Sequence, residues 1–122
     1  MGDYNIEHDW KIYRANIARW QENYMSKLLC EYKKIIDSPL NPSERFWKLN
    51  ERIKNDKRKP GVLIESKRSI LFDNLAELLN DGAITLDDLS QFSESEKINR
   101  LNEYLKLLFI FIYNFANFRL LR

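Results

Sequence analysis

The chain has one cysteine, one histidine, three glycines and three prolines among 122 residues. Each scarcity excludes something. A lone Cys30 cannot close an internal disulfide, which fits a reducing cytosol. Cys30 and His8 together cannot fill a four-ligand zinc site. Glycines at 2, 61 and 82 leave no room for a phosphate-cradling loop or a dinucleotide fingerprint. So few turn formers also argue against an all-β protein. The start, Met1 to Glu7, lacks the cationic head and apolar stretch of a leader. Gly2 does not make an acylation motif, because Ile6 stands where Ser or Thr is needed. The longest charge-free run, Leu107 to Phe118, is well short of the about 20 apolar residues a spanning helix needs, so no membrane partner is expected.

What is present is a set of helical patterns. With 44% hydrophobic and 31% charged residues, the composition is that of a globular protein. The length fits one domain, residues 1–122, able to bury about 65% of its unfolded surface. Ile6, Trp10, Tyr13, Ile17, Trp20 and Tyr24 step by four and three, and Leu28, Tyr32 and Ile35 continue the seam after a phase shift. That predicts one helix from about Ile6 to Ile36, ended by Asp37-Ser38-Pro39. Asn41-Pro42-Ser43-Glu44 opens a second helix to about Asn55, with Phe46, Leu49 and Ile53 on one face.

Asn55 to Gly61 reads as a polar, flexible loop. A third helix is expected from Val62 or Ser66 to Asn80, burying Ile70, Leu71, Leu75, Leu78 and Leu79, with Gly82 stopping it. Thr85-Leu86-Asp87-Asp88 starts a short helix, and Ser93-Glu94-Ser95-Glu96 caps the last one. There Ile98, Leu101, Leu105, Leu108, Ile112 and Phe115 form a seam, and beyond Leu107 nearly every face is apolar. Such a helix has to be enclosed. The expected fold is therefore all-α: a small antiparallel helical bundle with a long N-terminal helix and a long apolar C-terminal helix.

Chemistry finds little support. Cys30 and His8 lie on one expected helix, about 33 Å apart along it, too far to act as nucleophile and base. Cys30 reads as a small packing residue. Asp81-Gly82-Ala83-Ile84-Thr85 resembles the middle of a calcium loop, with Glu77 first, Leu79 third, Asp81 fifth and Asp88 last. Leu79 cannot ligate and Asp88 is short for its place. No catalytic residue, cofactor, metal or small-molecule substrate is expected.

Charge is more informative than chemistry. Residues 1–60 carry 13 Lys+Arg against 9 Asp+Glu, and residues 61–122 carry 7 against 9. The excess concentrates in Arg52, Lys54, Lys57, Arg58, Lys59, Lys67 and Arg68, a pattern suited to contact with nucleic-acid backbone without sequence reading. The aromatic supply points to a protein interface or self-association through Trp10, Tyr13, Trp20, Phe109, Phe111, Phe115 and Phe118.

In size, helical content and local basic charge, the chain is similar in class to the small helical-bundle subunits of CRISPR effector complexes. No motif carries the likeness. It implies an antiviral-defence subunit that lines up in an assembly and touches strand backbone. The expected function is thus a non-enzymatic helical subunit or adaptor, and the uncapped ending would suit a module of a longer protein. The alternative is a small phage- or plasmid-encoded inhibitor, or a homo-oligomeric scaffold, acting only by protein–protein binding.

Overall fold

A computed structural model describes residues 6–93 and 96–120, without the side chains of residues 96, 97, 105 and 117–120. Among the described residues all regular structure is helical. Helix α1, Ile6–Ile36, has 31 residues and so runs about 45 Å. Its first turn carries Glu7 and Asp9 and its last Lys33 and Lys34, both signs matching the helix dipole.

Helix α2, Pro42–Asp56, returns along the C-terminal half of α1. Pro42 stands at the first helical position, where a missing N–H costs nothing. Asn41 makes no cap to the backbone; its Nδ2 donates instead to Glu44 Oε1 at 3.3 Å. Leu49 and Ile53 are half-buried, whereas Phe46 faces outward and packs edge-on against Trp47, centroids 5.1 Å apart. Beside Phe46, Arg45 makes the contact with α1, donating from Nη1 to the Ile36 carbonyl at 2.7 Å.

The stretch after α2 differs from both expectations made for it. The turn is tied down. Val62 and Leu63 N–H groups both donate to the Lys59 carbonyl at 2.9 Å, and Gln21 Nε2 donates to the Pro60 carbonyl at 3.1 Å. Gly61 is buried against Tyr24, where a Cβ would stand 2.3 Å from ring carbon Cδ1. Residues 63–67 are irregular, with Lys67 extended, and helix begins only at a 3-10 turn, Arg68–Ile70, leading into α3, Leu71–Asn80. The β-branched Val62 and Ile64 after Pro60-Gly61 favour extension. Asn74 secures the stretch, donating to the Glu65 carbonyl at 2.9 Å, and Ser66 Oγ lies 2.8 Å from Tyr13 Oη.

Gly82 ends α3 with φ 76°, the left-handed geometry glycine adopts without strain. Helix α4, Leu86–Leu89, opens on a capping box. Thr85 Oγ1 accepts from Asp88 N–H, and Asp88 Oδ2 accepts from Thr85 N–H at 2.8 Å. That use of Asp88 explains the calcium-loop resemblance without a ligand. Helix α5, Glu96–Leu120, packs at its start against α3 and α4. The box expected at Ser93-Glu94-Ser95-Glu96 falls partly outside the described residues.

The core joins Tyr13 and Trp20 of α1 to Leu71, Leu75, Leu78 and Leu79 of α3, with Ile84, Leu89, Phe92 and Ile98 from the segments that follow. Trp10 stacks on Tyr13 at 5.5 Å, Tyr13 meets Trp20 edge-on at 6.4 Å, and Trp20 meets Phe92 at 6.5 Å. Both packing regions hang on α1: the core on its N-terminal half, α2 on its C-terminal half. No helix of the described residues is long and apolar enough to cross a membrane.

Candidate interaction surfaces

Three surfaces position the residues singled out by the sequence. The first is the far half of α5. Ile98 is buried, and Leu101 and Leu108 are half-buried against the core. Beyond them the same seam runs off the bundle. Leu107, Phe109, Ile110, Phe111, Ile112, Tyr113 and Phe115 are each 52–68% exposed. The enclosure expected of this segment is therefore not supplied by the described residues of the chain. Phe111 and Phe115 stack on one another at 6.5 Å, and Phe109 lines a cleft of about 420 Å³ with Leu79, Ile84 and Leu86. The side chain of Phe118 lies outside the described residues.

The interface expected on α1 is corrected. Tyr13 is 0% and Trp20 2% exposed, both inside the chain's own core, and Trp10 is half-buried against it. A helical spacing of three and four marks a buried face and does not say whose partner buries it. Burial raises the Tyr13 phenol above its ordinary 10 despite its contacts with Ser66 and Asn74.

The basic stretch is divided between the two ends of α1. Its first part belongs to the α1–α2 hairpin. Asp56 is 2% exposed; it accepts from Tyr32 Oη at 2.6 Å and forms ion pairs with Arg52 Nε at 3.2 Å and Lys59 Nζ at 3.6 Å. Arg52 also pairs with Glu31 and lies over the Tyr32 ring at 5.8 Å. The bond to Glu31 holds the guanidinium proton more firmly than usual. Tyr32 is pushed up to about 12, first by desolvation and then by its bond to Asp56. Arg52 and Lys59 are thus structural partners of one buried carboxylate. Lys54, Lys57 and Arg58 are exposed and make no ion pair among the described residues.

The second part lies at the other end of α1. Arg68 Nη1 pairs with Glu7 at 2.8 Å and Lys67 with Glu65 at 2.8 Å. Arg68 there lines a shallow groove of about 430 Å³ with Trp10, Lys11 and Arg14. Glu7 and Tyr32 are about 37 Å apart along the helix. Sequence proximity concealed this, because the chain returns along α1 from Pro60, bonded to Gln21, to Ser66, beside Tyr13.

Two further features escaped the sequence reading. Asp9 is 0% exposed, and its oxygens accept from Ser93 N–H at 2.8 Å and Ser93 Oγ at 2.6 Å. A cleft of about 200 Å³ between α1 and α2 is lined by Met25, Leu28, Leu29, Ile53 and Val62, almost wholly apolar. Cys30, expected to pack, is exposed on α1. Among the described residues no three His, Cys, Asp or Glu side chains gather as a metal site would require. Compared with known proteins, the chain matches no family model, no curated protein and no solved structure.

Proposed function

We propose that the chain is a non-enzymatic helical subunit that docks into a protein assembly through the far half of α5 and touches nucleic-acid backbone through Lys54, Lys57 and Arg58. The exposed apolar side chains of α5 carry this reading. At 150–250 Å² for a large aromatic side chain, their exposed part amounts to roughly 900 Å², above the 300–600 Å² of the largest patch on a typical monomer. Surface of that kind, without charge over twelve residues, is what protein interfaces cover.

The nucleic-acid part is supported by the three unpaired cations, which stand at one end of α2 and on the turn after it. Their backbone is hydrogen-bonded at Lys57 and Arg58 and they carry no stacking ring among them, so the contact is electrostatic and blind to sequence. The test is anisotropy of a fluorescent single strand of mixed sequence at two salt concentrations. Binding is expected, weakening with salt, with a slope reduced by about 2 in the triple variant Lys54→Glu, Lys57→Glu, Arg58→Glu. Equal binding by the variant, or none by the wild type, removes the strand and leaves function by protein–protein binding alone.

A further inference from the structure

We infer that the groove where Arg68 meets α1 binds a nucleotide unit, its base stacked on Trp10 and its phosphate held by Lys11, Arg14 and Arg68. The groove, about 430 Å³, is lined by Glu7, Trp10, Lys11, Arg14 and Ala15 of α1 and by Arg68. At 3.6 residues per turn those five α1 positions fall within about 140° of the helix circumference, so one face presents them all. Trp10 and Arg14 are four residues apart and Lys11 and Arg14 three, which makes each pair neighbours on that face. Arg68 comes from the facing 3-10 turn and pairs with Glu7 at 2.8 Å.

Two features distinguish this groove from an ordinary solvated face. The first is charge. Lys11 and Arg14 are exposed and make no ion pair among the described residues. Three cations against the one carboxylate, Glu7, leave a local excess of two positive charges, which attracts an anion. The second is the ring. Trp10 stacks on buried Tyr13 with centroids 5.5 Å and planes 12° apart, yet it stays partly exposed and lines the groove. A ring already held by the core loses little freedom when a base stacks on it. An acidic peptide or bare phosphate would engage the cations and leave the ring unused. A nucleotide engages both, as single-strand grooves do.

Trp10 precedes Tyr32 by about 33 Å along α1, and Lys57 lines a cleft together with Tyr32. The groove therefore binds apart from the strand contact proposed at Lys54, Lys57 and Arg58, and does not rest on it. It also holds the stacking ring that those three cations lack.

The experiment titrates the full chain at low salt with a fluorescent, 5′-phosphorylated thymidine trinucleotide, too short to reach Lys57 from the groove. Binding is expected, weakened about tenfold in Arg14→Glu and unchanged in Lys27→Glu, an exposed α1 cation outside the groove. Glu7→Gln, which takes the competing carboxylate away, is expected to bind about two- to fivefold more tightly. An abasic trinucleotide tests the ring while leaving the core intact, and is expected to bind about 5- to 150-fold more weakly. With a 5-iodouracil base, irradiation is expected to crosslink Trp10, read by mass spectrometry of the digest. Displacement by thymidine triphosphate at equal concentration assigns the groove to free nucleotide, and failure to displace assigns it to a strand; both support the site. Equal binding by the abasic form or by a hexa-aspartate peptide overturns the nucleotide and leaves an anion patch. A crosslink at exposed Trp47, or no trinucleotide binding, overturns the groove while leaving the contact at Lys54, Lys57 and Arg58 to its own test.

Discussion

Tyr32 and Gly61 show how single side chains set the α1–α2 hairpin. The Tyr32 phenol keeps its proton up to about 12 because it is desolvated and donates to Asp56. The folded chain binds that proton more tightly than the unfolded chain, whose tyrosines titrate near 10. Its contribution to stability is therefore complete below pH 10 and disappears as pH rises through 12. Tyrosinate absorbance of the folded chain should show a component rising near pH 12 that is missing in Tyr32→Phe. Gly61 is needed for space, since its φ is ordinary while a Cβ there would run into the Tyr24 ring. Gly61→Ala should cost about 1–3 kcal/mol by overpacking, read as a lower urea midpoint. Buried Trp20 Nε1 has no hydrogen-bond partner among the described residues.

At the scale of the element, α5 is two helices in one. Its first turns are core, and its later turns face outward on every side. Ile98→Ala should therefore lose about 2–5 kcal/mol, while Phe111→Ser should stay within about 0.5 kcal/mol. Urea unfolding is the measurement; equal losses would mean the far half is packed at home. Helix α1 was fully legible because a seam of large apolar residues runs its whole length. The stops at Gly82 and Thr85 were equally legible, each being a local geometry demanded by one residue type. The irregular stretch 63–67 was not. Its conformation is held by Asn74 and Tyr13, whose partners lie 9 and 53 residues away, and no local pattern reports a bond of that span.

For the whole molecule, the legible part was composition and helical class, and the illegible part was who faces whom. Periodicity marked Tyr13, Trp20, Ile112 and Phe115 alike, yet the first two are core and the last two lie outside it, more than half exposed. The cations show the same limit. Seven in one stretch read as one patch, but four are held by Glu7, Glu31, Asp56 and Glu65. The net charge of +2 keeps the proposed strand contact local, so its salt sensitivity should be that of about three phosphates.

The bond between Asp9 and Ser93 also carries an entropic cost. It spans 84 residues, whereas Tyr32 and Asp56 are 24 apart. Closing the longer loop costs about 1.1 kcal/mol more in chain entropy. The α1–α2 hairpin is thus the cheaper contact to close, and by loop entropy alone the Asp9–Ser93 bond is expected to form after it.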